Sequence, residues 1–136
     1  MMLLMRNKRN SSVHFLLAFN ALLLVSCAAQ SSPAAAVEKY LQAIVEKDVV
    51  EATNLSCLAW EEDAYAEASS FETVDVRLEG VTCEVVAEEG EFQQVSCGGE
   101  IVANYGGEDQ DIPLASRDFY VIEEDGEWRM CGYSAP

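Results

Sequence analysis

The spacing of apolar positions changes twice along the chain, and each change marks a different kind of element. A continuous run comes first, Phe15 to Val25, interrupted only by Asn20. A helix that crosses the hydrocarbon core needs ~20 predominantly apolar residues, so this run is too short to span. Beyond it, Val37, Tyr40, Leu41, Ile44 and Val45 recur at helical spacing, with Glu38, Lys39, Gln42, Glu46 and Lys47 between them. The pattern predicts a helix capped by Ser32, with Pro33 at its first position, where a missing N–H costs nothing. Asp48, followed three residues later by Glu51, predicts a second, short helix through Ala52 and Leu55 to about Cys57. A third, "AWEEDAYAEASSF", places Trp60, Ala64, Ala68 and Phe71 along one side and its acids on the other.

From Glu72 onward the residues become β-branched and aromatic, punctuated by glycine-containing turns. Four strands are expected near 73–87, 91–105, 112–124 and 127–133. They are joined at Glu89-Gly90, around Gly106 to Gln110, and at Asp125-Gly126. The last is a two-residue loop in which both residues accept positive φ, a strong hairpin signal. Short links between successive strands imply an antiparallel meander, and helices grouped before strands imply an α+β fold.

Charge separates the start of the chain from the rest. Arg6, Lys8 and Arg9 precede the apolar run and no acid stands before Glu38, the asymmetry of a secretory signal. The run ends in Leu24-Val25-Ser26-Cys27, which resembles the bacterial lipobox. That resemblance implies cleavage before Cys27 and lipidation of its thiol, with two or more acyl chains giving stable anchoring. An ordinary signal peptide cut near Ala28-Ala29 is the alternative. The expected organisation is a signal peptide over 1–26, a lipidated tether over 27–32 and one folded domain over 33–136, anchored to the outer face of the cell membrane or to the outer membrane. The membrane is then a partner through the lipid on Cys27.

From Cys27 onward, five basic residues stand against all 24 acidic ones. Nucleic acid is excluded as a partner, since a phosphate backbone is held by Lys and Arg. The acids are dispersed and read as a solubilising surface. The chain's one histidine, His14, lies in the signal, so Ser-His-Asp and Cys-His chemistry is excluded for the domain. No nucleotide or phosphate motif occurs and no cofactor is expected. Glu108, Asp109 and Asp111 do not continue into a calcium loop, because Pro113 and apolar residues follow.

Cys57, Cys83, Cys97 and Cys131 form an even set in an exported domain, which reads as two disulfides; zinc would need a close Cys pair or histidines, which are lacking. The meander selects among the three pairings. Cys83 and Cys97 lie symmetrically about Gly90 and face each other across the first hairpin. Two strand spacings of ~4.8 Å separate Cys97 from Cys131, beyond the ~7 Å Cα limit for a disulfide. Cys57 is then the partner for Cys131. The pairing requires the end of the second helix to reach Cys131, which lies on the opposite side of its strand from Trp128 and Met130.

Helices followed by a long, bent antiparallel sheet, with the opening "AAAVEKYLQAIVEKDVVEATNLSC", resemble the NTF2-like (cystatin-like) α+β cone over residues 33–133. An open two-layer α+β sandwich of another topology is the alternative. The resemblance implies a conical pocket with Tyr40, Phe71, Ile101, Phe119 and Trp128 as candidate lining, Val85 beside them. Some members of the family bind or isomerise small apolar molecules there. Its enzymes use an Asp or His base with a tyrosine or second acid, for which only Tyr40, Tyr65, Asp75, Tyr105, Asp118 and Tyr120 are available, none in a matching motif. Two functions stay open: a non-catalytic module that binds a small apolar ligand or a protein, and an isomerase- or cyclase-type enzyme. A lining of apolar side chains without a free carboxylate favours the first.

Overall fold

A computed structural model describes residues 32–134; the basic leader, the apolar run and Cys27 lie outside the described residues. Ser32 caps α1, Pro33–Glu46, its Oγ accepting from the Ala35 amide at 3.1 Å. The apolar stripe of α1 buries completely, joined by Ala36 and Ala43. Asp48 accepts from the Glu51 amide at 2.9 Å and opens α2, Val49–Asn54. This helix ends before Cys57 because Leu55 to Cys57 bond to a strand instead. The Cys57 amide donates to the Met130 carbonyl at 2.7 Å, and the Met130 amide to Leu55 at 2.8 Å. In α3, Glu61–Ser70, Ala64 and Ala68 are fully buried, while Trp60 and Phe71 pack against the core from either end.

Five strands follow: β1 Asp75–Glu89, β2 Phe92–Tyr105, β3 Glu108–Pro113, β4 Asp118–Glu124 and β5 Glu127–Tyr133. The strand expected over 112–124 is in fact two, and it begins earlier. Its first part, β3, pairs with Glu100–Tyr105 of β2, and its second, β4, with Gln93–Ser96 of the same strand. A 3₁₀ turn at Leu114–Ser116 separates them. Pro113 brings no N–H to continue the ladder, and the turn drives Leu114 into full burial. The sheet order is β1-β2-β4-β5, antiparallel throughout, with β3 beside β2.

The long β1–β2 hairpin bends at irregularities between Glu79 and Thr82 and between Val85 and Ala87. Gly99 sits at the first of these with φ +85°, and a Cβ there would stand 2.5 Å from the Glu79 carbonyl oxygen. The curved sheet wraps α1, whose stripe meets Val95, Ile101, Phe119, Val121 and Met130. Asp125 and Gly126 both take positive φ in the β4–β5 turn.

Cys83 and Cys97 are direct partners in the β1–β2 ladder, with Cα atoms 4.1 Å apart and sulfurs 2.02 Å apart. Cys57 joins Cys131 at 1.97 Å. The facing problem is solved sideways: Ser56 bridges Met130 in parallel, so the exit of α2 runs along the edge of β5 rather than above its face.

Candidate functional site

The kink between β3 and β4 and the wrapping of the sheet leave a cavity of about 190 Å³ between α1, α3 and the strands. Its apolar wall is Leu41 and Ile44 from α1, Phe71 after α3, the paired Ile101 and Ile112 of β2 and β3, and Phe119 of β4. Its polar end is Tyr40, Glu67, Ser70, Tyr133 and Arg117.

Glu67 organises that end. Tyr40 donates its phenol proton to Glu67 Oε2 at 2.6 Å, and Tyr133 donates to Oε1 at 2.5 Å. The Trp60 indole N–H donates in turn to the Tyr40 oxygen at 3.1 Å. Burial, then the negative charge of Glu67 and the hydrogen bond to it, hold the Tyr40 phenol far above its usual range. The Tyr133 phenol is pushed up to about 12 by burial, then by its hydrogen bond to Glu67 and that group's charge. Arg117 lies over the Tyr133 ring, its guanidinium carbon 4.7 Å from the ring centre. Its Nε is buried with no hydrogen-bond partner, and no ion pair joins Arg117 to any acid among the described residues.

Both phenol protons point at Glu67, so neither tyrosine is left to donate to a developing oxyanion. Both Glu67 oxygens already accept a phenol hydrogen bond, one from each tyrosine. Among the described residues no cluster of His, Cys, Asp or Glu is arranged to hold a metal. Asp109 instead accepts from Asn104 at 2.7 Å and pairs with Arg77 at 3.1 Å, and these two groups hold its carboxyl below the usual range.

Of the lining residues expected from sequence, Tyr40, Phe71, Ile101 and Phe119 meet at the cavity. Trp128 does not: it lies toward the Asp125-Gly126 turn, in a separate shallow recess with Lys39, Leu55 and Arg129. Val85 is 43% exposed on the outer part of β1. Among the acid–base candidates, Tyr65 and Tyr105 are exposed, Asp75 is on the solvent side of β1, and Tyr120 packs edge-on to Phe92. Asp118, at the start of β4, accepts from the Ser134 amide at its carbonyl and donates its own amide to the Ser134 Oγ, and it does not line the cavity.

Four residues of the polar end, Glu67, Ser70, Tyr133 and Arg117, are not among the lining expected from sequence. Glu67 had a signal, since Trp60, Ala64, Glu67 and Phe71 share one helical face at a 4-3-4 spacing. Tyr133 had none. Between the pairs Phe119–Tyr133 and Val121–Met130, β5 carries one residue more than β4, and this bulge turns Tyr133 to the same face as Phe119. Arg117 is placed only by the 3₁₀ kink.

No protein-family model and no curated protein matches the chain. Among solved structures, it is similar to a SEC-C motif-containing protein from Rhodopseudomonas palustris, with TM-score 0.51 and 19% identity over 79% of this chain and 80% of that one. It is also similar to an NTF2-like protein of unknown function from Cytophaga hutchinsonii, with TM-score 0.40 and 11% identity over 77% of this chain and 92% of that one. At 19% identity the likeness to the first is one of fold alone.

Proposed function

We propose that this domain is a non-catalytic binding module for a small, largely apolar molecule, exported and held at the membrane by lipid on Cys27. The observation that carries the binding reading is the cavity itself, with six apolar side chains as walls and its polar groups gathered at one end. Pockets for drug-sized ligands run to ~300–1,000 Å³, so a cavity of about 190 Å³ suits a ligand of few heavy atoms. The mutual engagement of Tyr40, Glu67 and Tyr133 argues against an isomerase or cyclase.

Export is supported by the basic leader, the apolar run and the lipobox-like Leu24-Val25-Ser26-Cys27. Two disulfides are consistent with an oxidising compartment. No helix among the described residues is long and apolar enough to cross a membrane.

Native mass spectrometry of the domain purified from its producing cells tests the binding reading: a copurifying small molecule, released on denaturation, is the expected result. Turnover of isomerase or hydrolase substrates that is abolished by Glu67→Gln would replace this reading with an enzymatic one. For the anchor, Cys27→Ser should move the protein from the membrane fraction to the soluble fraction. Unchanged membrane association would remove the lipid.

A further inference from the structure

We infer that the ligand of this cavity is a small monocarboxylate, its carboxylate held by Arg117 and its hydrocarbon body lying against Leu41, Ile44, Phe71 and Ile112. The inference rests on the binding reading above and specifies its chemistry. Among the described residues Arg117 is the one cationic side chain at the cavity, standing in a chain whose folded domain is strongly acidic. Among the described residues it pairs with none of those acids, whereas Arg77 and Arg129 each hold a carboxylate at 3.1 Å or closer.

The guanidinium is oriented in advance. Packing over the Tyr133 ring fixes the plane of the fork, so less freedom is lost when a planar two-oxygen group docks. The Nε has been withdrawn from water without gaining an acceptor, a state that is costly for a charged donor. Arg117 lines the cavity, so a carboxylate there meets the guanidinium, and a turn of the side chain would give the buried Nε an acceptor as well.

Glu67 does not forbid this. Its two oxygens are covered by the Tyr40 and Tyr133 phenols, which disperse its charge on the side facing the cavity. A phosphate would bring a second negative charge toward Glu67, and a singly charged head avoids that repulsion. The acidic exterior slows an approaching anion, but its field is screened beyond ~8 Å at physiological ionic strength.

The test compares acids with their neutral isosteres by calorimetry on the intact domain: benzoate, phenylacetate and hexanoate against benzamide, phenylacetamide and hexanamide. At least one acid should bind on the order of tenfold or more tighter than its amide. In Arg117→Gln that difference should vanish, and in Arg117→Lys, which keeps the charge and loses the fork, it should be partial. An amide that binds as well as its acid overturns the carboxylate and leaves the binding module standing. A preference for acid that survives Arg117→Gln overturns the role of Arg117. Absence of binding by every compound at millimolar concentration overturns the binding module and this inference together. The wild-type comparison decides the carboxylate even if the variants do not fold.

Discussion

Tyr133, on the last strand, donates to Glu67, on the third helix, at 2.5 Å across 66 residues of sequence. The bond ties the helical layer to the sheet at the polar end of the cavity, and the Tyr40 phenol shares the same carboxylate from α1. One acid therefore holds three elements.

Glu67→Gln keeps the shape and removes the charge. Burial still raises the phenols, but the contribution of the anion is lost, so Tyr133 should titrate below about 12 in the variant. Ultraviolet titration of tyrosinate against pH measures this. In the wild type the folded state favours the protonated phenol more than the unfolded chain does. The associated stability is present below the ordinary tyrosine pKa of ~10 and is lost as pH rises through about 12. Alkaline melts should show that loss, and it should be smaller in Glu67→Gln.

Leu41 is 3% exposed in the centre of the core, so Leu41→Ala should cost about 2–5 kcal/mol. Gln42, one residue on, faces solvent and bonds only Glu46. Gln42→Ala should change stability by less than about 0.5 kcal/mol. Denaturant unfolding curves that reversed this order would remove the helix-on-sheet packing.

Gly99→Ala should destabilise the β1–β2 hairpin by about 1–3 kcal/mol or more, because the methyl group meets Glu79 backbone and φ is +85°. Asp125→Asn, at the other hairpin, should be nearly neutral, while Asp125→Val forces a β-branched residue to φ 53°. Thermal melts of the three variants give the ranking.

Replacing Cys57 and Cys131 together by serine opens a loop of 74 residues and should cost roughly 4 kcal/mol in the chain-entropy picture. The Cys83–Cys97 pair closes only 14 residues and should cost about 3 kcal/mol. Non-reducing peptide mapping checks the pairings, and denaturant unfolding checks their order.

Much of the fold was legible in the chain because it is encoded over short distances. The stripe Val37, Tyr40, Leu41, Ile44 and Val45, the caps Ser32 and Asp48, and the Asp125-Gly126 turn each depend on neighbours within a few residues, and all take the expected form. Cys83 and Cys97 lie symmetrically about Gly90, but their register also needs the bulge between Val85 and Ala87, since a plain count from the Glu89–Phe92 pair sets Cys83 opposite Gly98. Tyr40, Ile101 and Phe119 lie on regular elements whose facing is periodic, and with Phe71, just past the end of α3, they reach the cavity.

The tertiary structure alone decided the polar end. A strand's facing can be counted only while its period holds, and the bulge in β5 breaks the period just before Tyr133. The break at Pro113 to Ser116 swings Arg117 to the cavity because β2 accepts two separate partners along one edge, a long-range pairing with no local signature. Glu67 reads as one more surface acid until Tyr40 and Tyr133 arrive from opposite ends of the domain to bind it. Local periodicity sets the walls, whereas the charged groups are brought together by contacts between residues far apart in sequence, which no short window of the chain contains.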